Sequence, residues 1–159
     1  MNDFARTDRL PADKDMMSTD GTKAAGVAKE AVYSERALHS GALYSQAIRT
    51  GDWVYVAGQV PVDPVTKQPQ GGSVYEQSCA VLGYIEAILT EAGCRMDDVV
   101  KMNCYLTDLA QFSEMNRAFA SYFKEPYPAR VTVGVQLIGF DVEMDCVARI
   151  GCGQGGGTN

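Results

Sequence analysis

The stretch SVYEQSCAVLGYIEAILTEAG, residues 73–93, decides the fold class because its pattern is helical throughout. Ser73 is a favourable N-cap, and Glu76, three positions later, completes a capping box. Gly93 ends the pattern. The apolar residues recur with a helical period and form one stripe: Val74, Val81, Leu82, Ile85, Ile88, Leu89 and Ala92. An amphipathic helix needs a second layer to cover such a stripe, and the segments around it must supply that layer.

A second helical pattern runs from about residue 109 to 123. Asp108 stands before it as an N-cap, and two prolines, Pro126 and Pro128, prevent the helix from continuing. One face of this helix is aromatic and apolar and carries Phe112, Met115, Phe119, Tyr122 and Phe123. Asn116 falls on the same side, where a buried amide needs hydrogen-bond partners.

Six further segments have the β-branched and aromatic content, the alternation and the flanking turns that predict strands. They are residues 31–37, 43–48, 52–58, 98–106, 129–136 and 141–149. In chain order the elements read β-β-β-α-β-α-β-β, which predicts an α+β fold with both helices on one face of a six-stranded mixed sheet. The other face of that sheet then needs a different partner.

The two ends of the chain differ in composition from the part between them. Residues 1–30 are polar and charge-mixed without a period, and residues 151–159, GCGQGGGTN, are too rich in glycine to pack. The 159 residues, 46% of them apolar, suit a single core. We therefore expect a disordered leader over 1–30, one domain over 31–150 and a flexible tail over 151–159.

Composition also argues against several classes of protein. The chain has 20 acidic and 14 basic residues and no cluster of Lys and Arg, which makes nucleic acid a poor partner. Its five cysteines include no CxxC pair, so neither a disulfide framework nor a zinc site is indicated. No apolar run reaches the roughly 18 residues of a membrane span, and the N-terminus lacks the order of a secretory signal. We expect a cytoplasmic protein without a membrane partner.

The last two strands, taken as an antiparallel hairpin, have one register that pairs apolar residues throughout. With Gln136 opposite Asp141, this register aligns Val135 with Val142, Val133 with Met144, and Val131 with Cys146. That apolar stripe suits the helix layer. The hairpin then predicts that Arg130 and Glu143 share the uncovered face, with an empty space at Gly134 opposite Glu143.

In that hairpin Arg130 and Glu143 are roughly 13 Å apart at about 3.3 Å per residue, too far for both to grip one small molecule. They are therefore either two solvated surface charges or groups with separate purposes, or they meet where two subunits join. The residues alone leave these alternatives open.

Five segments, in order, resemble the reactive intermediate deaminase family, also called Rid or YjgF-like. They are LYSQAI (43–48), VAGQVPVDP (56–64), VVKMNCYLTDLAQFSEMN (99–116), YPARVTVGV (127–135) and VEMDCVA (142–148). The resemblance implies a homotrimer of chorismate-mutase-like subunits, with sheets facing inward as a barrel and clefts between neighbours. It also implies hydrolysis of 2-imino or enamine acids, such as 2-aminoacrylate or 2-iminobutanoate, to 2-oxo acids and ammonia, with no cofactor and no metal.

The resemblance also implies roles for individual residues. Arg130 matches the arginine that holds the substrate carboxylate, for which a forked guanidinium is suited and lysine is not. Glu143 matches the glutamate that orients or deprotonates the attacking water. Further residues match the lining of the substrate cleft: Tyr44, Ser45, Gly58, Asn116 and Thr132.

Each of these matches has an ordinary structural alternative. Tyr44 also suits a core position near a turn, Gly58 a strand end, and Asn116 a satisfied core amide. The chain departs from the family pattern at Leu43, where proline is usual, and at Ala57, where serine is usual. Thr132 stands where cysteine is frequent, and the loop LIGFD lacks the usual proline. These departures bear on the substrate range.

A second class of function stays open beside the deaminase. The trimer's clefts would bind small 2-oxo acids without turnover, as in a regulatory or chaperone-like protein, or the protein would be an RNA-cleaving translation inhibitor. The net charge of -6 argues against the version that acts on RNA.

Overall fold

One mixed sheet of six strands carries both helices on a single face, as the sequence predicts, in a computed structural model that describes residues 26–154. The strands are β1 (Lys29–Val32), β2 (Ala47–Thr50), β3 (Trp53–Gln59), β4 (Val99–Leu106), β5 (Ala129–Gly134) and β6 (Val142–Arg149). The helices are α1 (Val74–Glu91) and α2 (Phe112–Tyr122), and short 3-10 turns lie at Met96–Asp98, Leu109–Gln111 and Cys152–Gln154. The spatial order of the strands is β1-β2-β3-β6-β4-β5.

The ends of the chain are described only in part. The leader expected over residues 1–30 lies outside the described residues up to position 25, and β1 begins at Lys29. In the expected tail, the backbone N–H of Gly153 donates to the carboxylate of Asp98 at 2.8 Å, while residues 155–159 lie outside the described part. Within 26–154, neither helix has the length and apolar content to cross a membrane. The domain boundaries and the cytoplasmic location stay predictions.

Helix α1 forms as its sequence pattern predicts. The hydroxyl of Ser73 accepts from the backbone N–H of Glu76 at 3.3 Å, and the Glu76 carboxylate accepts from the Ser73 N–H at 2.7 Å. These hydrogen bonds lower the pKa of Glu76 below its usual range. The apolar stripe is fully buried against the helix-side residues of the central strands, among them Met102, Met144 and Cys146.

The expected hairpin of β5 and β6 is wrong, because β4 lies between them. Strand β5 is parallel to β4, and β6 is antiparallel to both β4 and β3. The physical reason lies in α2, since a helical crossover from β4 returns the chain parallel to β4 and beside it. Strand β6 then fills the space that the α1 crossover leaves between β3 and β4. Neighbours in the sequence are here not neighbours in the sheet.

In this topology the side chains of β5 lie on the faces opposite to those that the hairpin predicts. Arg130 is the register partner of buried Met102, and Thr132 is the partner of buried Cys104, so both lie on the helix side. Val131 lies instead on the uncovered side of the sheet, beside Asn103. The uncovered face keeps four large apolar side chains in solvent, each about two-fifths or more exposed: Trp53 (41%), Tyr55 (48%), Val131 (42%) and Val133 (39%). A face of this kind needs another surface to cover it.

Gln46, a buried residue to which the sequence pattern assigns no role, holds the loop ahead of β2. Its side-chain oxygen accepts from the backbone N–H of Ser34 at 2.6 Å. Its nitrogen lies 3.0 to 3.1 Å from the carbonyl oxygens of Ser34, Ala37 and Leu38. One buried side chain therefore supplies hydrogen-bond partners for several backbone groups of this loop.

Replacing Gln46 with leucine is expected to lower the free energy of unfolding by about 3 kcal/mol, because several buried backbone groups lose their partner. Urea unfolding followed by circular dichroism, at one fixed protein concentration, measures the change. Gln136, which is exposed, supplies the control. Its replacement with leucine is expected to leave the free energy of unfolding within about 0.5 kcal/mol of the wild-type value. Equal stability of both variants would contradict the bracing role of Gln46.

Candidate functional site

Arg130 lies on the edge strand β5 and points to the helix side. Its guanidinium carbon is 4.6 Å from the centre of the Phe119 ring and 5.4 Å from that of Phe112, so both rings hold it by cation–π attraction. Within residues 26–154 the single ion pair joins Arg117 to Glu114. The Arg130 guanidinium thus has no carboxylate partner among the described residues, and its donors are available to a ligand.

A cavity of about 330 Å³ opens beside this guanidinium. Its walls come from the second half of α2, the segment after it and the start of β5: Asn116, Phe119, Ala120, Tyr127, Pro128 and Arg130. Asn116, half-buried, therefore faces the same space as Arg130. A cationic fork and an amide in an otherwise apolar wall suit a small molecule that carries a carboxylate.

Thr132 lies two positions after Arg130 on the same side of β5, but it does not line the cavity. Its hydroxyl oxygen is buried next to the thiol of Cys104, which is its register partner on β4. Burial raises the pKa of the Cys104 thiol to about 11, so this thiol stays protonated and is a poor nucleophile at neutral pH. In this chain Thr132 is a neighbour of the Arg130 cavity, and its role in ligand binding stays a prediction.

Glu143 projects from β6 to the uncovered face, opposite Tyr105 on β4. Its carboxylate occupies the space above Gly58, because a Cβ atom at that position would overlap with the carboxylate. Ala57 on β3 donates its backbone N–H to the Gln46 carbonyl at 2.9 Å, which continues the β2–β3 pairing and places Ser45 beside Gly58. Glu143, Gly58 and Ser45 therefore gather at one end of the uncovered face.

The segment before β2 completes this end of the sheet. The hydroxyl of Tyr44 accepts from Ser40 at 3.0 Å, and the hydroxyl of Ser45 accepts from Tyr33 at 3.3 Å. Tyr44 is 46% exposed, so it is a surface residue and not the core tyrosine that is its ordinary alternative. The hydroxyls of Tyr44 and Ser45 thus take part in hydrogen bonds within the segment that leads into β2.

The empty space expected at Gly134 is absent from the structure. Gly134 pairs with Leu106 on β4 and not with Glu143, because the strand between β5 and β6 separates them. The side chain of Leu109 lies 3.4 Å from the position that a Cβ atom of Gly134 would occupy. Gly58 instead provides the space that the Glu143 carboxylate occupies.

The environment of Glu143 favours proton uptake. Burial and, after it, the nearby charge of Asp145 raise the pKa of Glu143 above its usual range. Asp145 itself accepts hydrogen bonds from the amide of Asn103 at 2.7 Å and from the hydroxyl of Tyr105 at 2.8 Å. The bond to Asp145 is the main reason why the pKa of Tyr105 rises to about 12. A carboxylate with a raised pKa is a stronger base than one in water.

Asp145, Asn103 and Tyr105 have no place among the residues expected at the site. Their signal in the sequence is the two-residue alternation of β4 and β6, which puts polar side chains at 103, 105, 143 and 145 where the other face is apolar. Only the β4–β6 pairing brings them together. No group of three or more His, Cys, Asp or Glu side chains in the described range is arranged to hold a metal ion.

The predicted site residues thus form two half-sites on opposite faces of the sheet. The first, the arginine half-site, contains Arg130 and Asn116, with Thr132 adjacent. The second, the glutamate half-site, contains Glu143 and Gly58, with Ser45 beside Gly58 and Tyr44 next to it in the chain. The expectation that Arg130 and Glu143 share one face is wrong, because β5 pairs with β4 in parallel.

Comparison with known proteins identifies close relatives. A family model described as Endoribonuclease L-PSP matches residues 34–150. A RutC family protein of Pyrococcus abyssi is 44% identical over 77% of this chain and 98% of its own length. The crystal structure of RidA from an Antarctic Psychrobacter superposes with a TM-score of 0.72 at 36% identity, covering 76% of this chain and 99% of that one. Escherichia coli TdcF, solved with bound serine, gives 0.70 at 29% identity over 76% and 98%.

Proposed function

The chain belongs to the endoribonuclease L-PSP family, also called Rid or YjgF-like, and on that premise we propose that it hydrolyses 2-imino acids and their enamine tautomers to 2-oxo acids and ammonia. The observation that carries this proposal is the state of Arg130. Two aromatic rings hold the guanidinium beside a cavity that also contains the Asn116 amide, and no carboxylate of the described chain neutralises it. The relative with bound serine supports a ligand whose carboxylate is attached to the carbon that bears the nitrogen.

Each half-site has a part in the proposed reaction. Arg130 binds the substrate carboxylate through two parallel hydrogen bonds and fixes the imine carbon. Glu143 takes a proton from a water molecule, whose oxygen adds to that carbon and gives a tetrahedral carbinolamine. The same group gives that proton to the nitrogen, and it then carries the second proton from the carbinolamine hydroxyl to the nitrogen as the C–N bond breaks, so ammonia leaves and the C–O bond becomes the carbonyl of the 2-oxo acid. The raised pKa of Glu143 suits both transfers.

A homotrimer joins the two half-sites in this proposal. Arg130 lies on the edge strand of the sheet, so a second copy docked at that edge brings its own Glu143, Gly58 and Tyr44 toward the arginine. The apolar side chains of the uncovered face, Trp53 among them, become buried between the copies. Light scattering during gel filtration measures the assembly, and a mass of three chains is the expected result.

A coupled assay tests the proposed function. A pyridoxal-phosphate dehydratase generates 2-aminoacrylate or 2-iminobutanoate in place, semicarbazide competes for the free imine, and release of the 2-oxo acid is followed with and without the protein. We expect the protein to accelerate release and to reduce formation of the semicarbazone. A folded trimer that leaves both rates unchanged would contradict the deaminase.

One observation favours a second candidate, a protein that binds small carboxylates without turnover. The cavity beside Arg130 is built within one chain, whereas Glu143 lies on the other face of the sheet. Calorimetry with 2-oxobutanoate, run beside the coupled assay, separates the candidates: binding without imine hydrolysis supports a regulatory or chaperone-like protein. RNA cleavage, which the family description names, remains a poorer fit to a chain of net charge -6.

Replacing Gly58 with alanine is expected to lower kcat by about 10- to 100-fold, because a 1 Å displacement of a catalytic group has an effect of that size. The added methyl group claims the space of the Glu143 carboxylate, which then has to swing away. Gly83→Ala on α1 is the matched control, since its Cβ atom would lie at an ordinary contact distance, 3.5 Å, from the Tyr122 hydroxyl. Equal rates for the two variants, both folded, would show that the position of Glu143 over Gly58 does not matter.

A further inference from the structure

A second carboxylate, Asp145, lies beside the glutamate half-site, and the proposed reaction gives it no role. Asp145 follows Glu143 by two positions on β6, so their side chains point to the same face. Both of its oxygens are engaged, one by the amide of Asn103 at 2.7 Å and the other by the hydroxyl of Tyr105 at 2.8 Å. Two donors from one neighbouring strand therefore fix both the position and the orientation of this negative charge.

Among the charged groups on this face, Asp145 is the nearest to Glu143. Strand β4 presents Tyr105 directly opposite Glu143, and its Lys101 lies farther away, opposite Val147. Strand β3 presents Gly58, which has no side chain. The remaining titratable groups of β3 and β6 on this face lie toward the other end of the strands: Tyr55, opposite Val147, and Arg149, opposite Trp53.

We propose that Asp145, held by Asn103 and Tyr105, is a positioning residue that makes Glu143 a stronger base toward the attacking water. This inference rests on the proposed function. The negative charge of Asp145 lies roughly 7 Å along the strand from Glu143, and at that distance it disfavours a second negative charge and favours a protonated Glu143. Since both oxygens of Asp145 accept hydrogen bonds from β4, this charge is held at a fixed place relative to Glu143.

Tyr105 is suited to hold this arrangement across the physiological range. Its pKa is raised to about 12, so the hydroxyl remains a donor to Asp145 at neutral pH. It also lies opposite Glu143 in the strand pairing, so the residue that holds Asp145 is the cross-strand neighbour of Glu143. Asp145, Asn103 and Tyr105 form one hydrogen-bonded polar unit on this face.

Asp145→Asn tests the inference because it removes the charge and keeps the size of the side chain. Carbon-detected NMR of the Glu carboxyl groups follows the titration of Glu143 in the whole protein, and the pH profile of kcat/KM is measured on 2-iminobutanoate. We expect the Glu143 titration and the acid limb of the profile to move together to lower pH, and the plateau rate to fall about tenfold. Asp145→Glu, which restores the charge, is expected to move both back toward the wild type.

The acid limb moves to lower pH because only the ionised form of Glu143 works as a base. Glu143 accepts a proton only when ionised, so activity is lost as the pH falls through its pKa. In the wild type this pKa is raised, and removal of the Asp145 charge lowers it. Asp52→Asn, at the exposed turn between β2 and β3, removes one charge elsewhere and is expected to leave both measurements unchanged.

The two measurements separate failure of this inference from failure of the proposed function. An unchanged Glu143 titration in folded Asp145→Asn overturns the inference whatever the activity. A shift of equal size in Asp52→Asn also overturns it, because the effect is then one of net charge. If the wild type hydrolyses no imine, the proposed function fails, while the NMR titration still decides whether Asp145 controls Glu143.

Discussion

Replacing Arg130 with alanine is expected to lower kcat/KM for 2-iminobutanoate by about 10³-fold, since two charge-assisted hydrogen bonds are each worth about 1.5 to 3 kcal/mol. The guanidinium has no carboxylate partner within the described chain, so its hydrogen-bonding capacity is left for the substrate. The coupled assay measures the loss over a range of substrate concentrations. Loss of the anchor weakens binding of the substrate carboxylate, which raises KM, and it also leaves the imine carbon poorly positioned for attack, so kcat is expected to fall as well.

Two control variants sharpen this result. Arg130→Lys keeps the positive charge but loses the planar fork that lies over Phe119 and Phe112, and it is expected to recover only a small part of the activity. Arg95→Ala, at an exposed position, is expected to retain the full rate. A folded Arg130→Ala variant with the wild-type rate would rule out Arg130 as the carboxylate anchor.

The substitution Glu143→Gln is expected to lower kcat by about 10³-fold and to change KM little, because the amide keeps the size of the side chain but accepts no proton. The acid limb of the pH profile is also expected to disappear, since the group whose protonation causes it is gone. Glu91→Gln, at the exposed end of α1, removes the same charge far from the site and is expected to leave the profile as in the wild type.

Stability distinguishes the catalytic role of Glu143 from a structural one. Its pKa in the folded protein is raised, so the unfolded chain loses this proton at a lower pH than the folded chain does. Ionised Glu143 therefore costs folding free energy at a pH above its folded pKa, and the cost vanishes below the unfolded pKa. We expect Glu143→Gln to be at least as stable as the wild type at pH 7 in urea unfolding. An inactive variant that was also less stable would point to a structural role.

Much of the fold follows from local patterns, and α1 is the clearest case. Its capping box and apolar period depend only on residues within one helix, and they form as predicted. The alternation along β5 is also real, with Arg130 and Thr132 on one side and Val131 and Val133 on the other. What alternation cannot tell is which side meets the helices, because a valine-rich side is equally suited to helices and to a second copy of the chain.

The pairing of β5 depends on a longer-range fact, namely that β6 enters the sheet between β3 and β4. Only then does Arg130 turn toward Phe119 on α2, and only then does Glu143 come to lie beside Tyr105. The individual residues of both half-sites could be predicted from the sequence segments that resemble the family. Their distribution over two faces, and the polar unit around Asp145, required the strand order.

The separation of the half-sites has a genetic consequence in the proposed trimer. Each cleft takes its arginine from one subunit and its glutamate from the next, so a lesion in either half-site silences only the cleft to which that half contributes. Alleles that carry Arg130→Ala and Glu143→Gln would then belong to different complementation classes. Coexpressed, they would assemble mixed trimers in which some clefts contain both wild-type residues. Two inactive genes would thus yield one active protein.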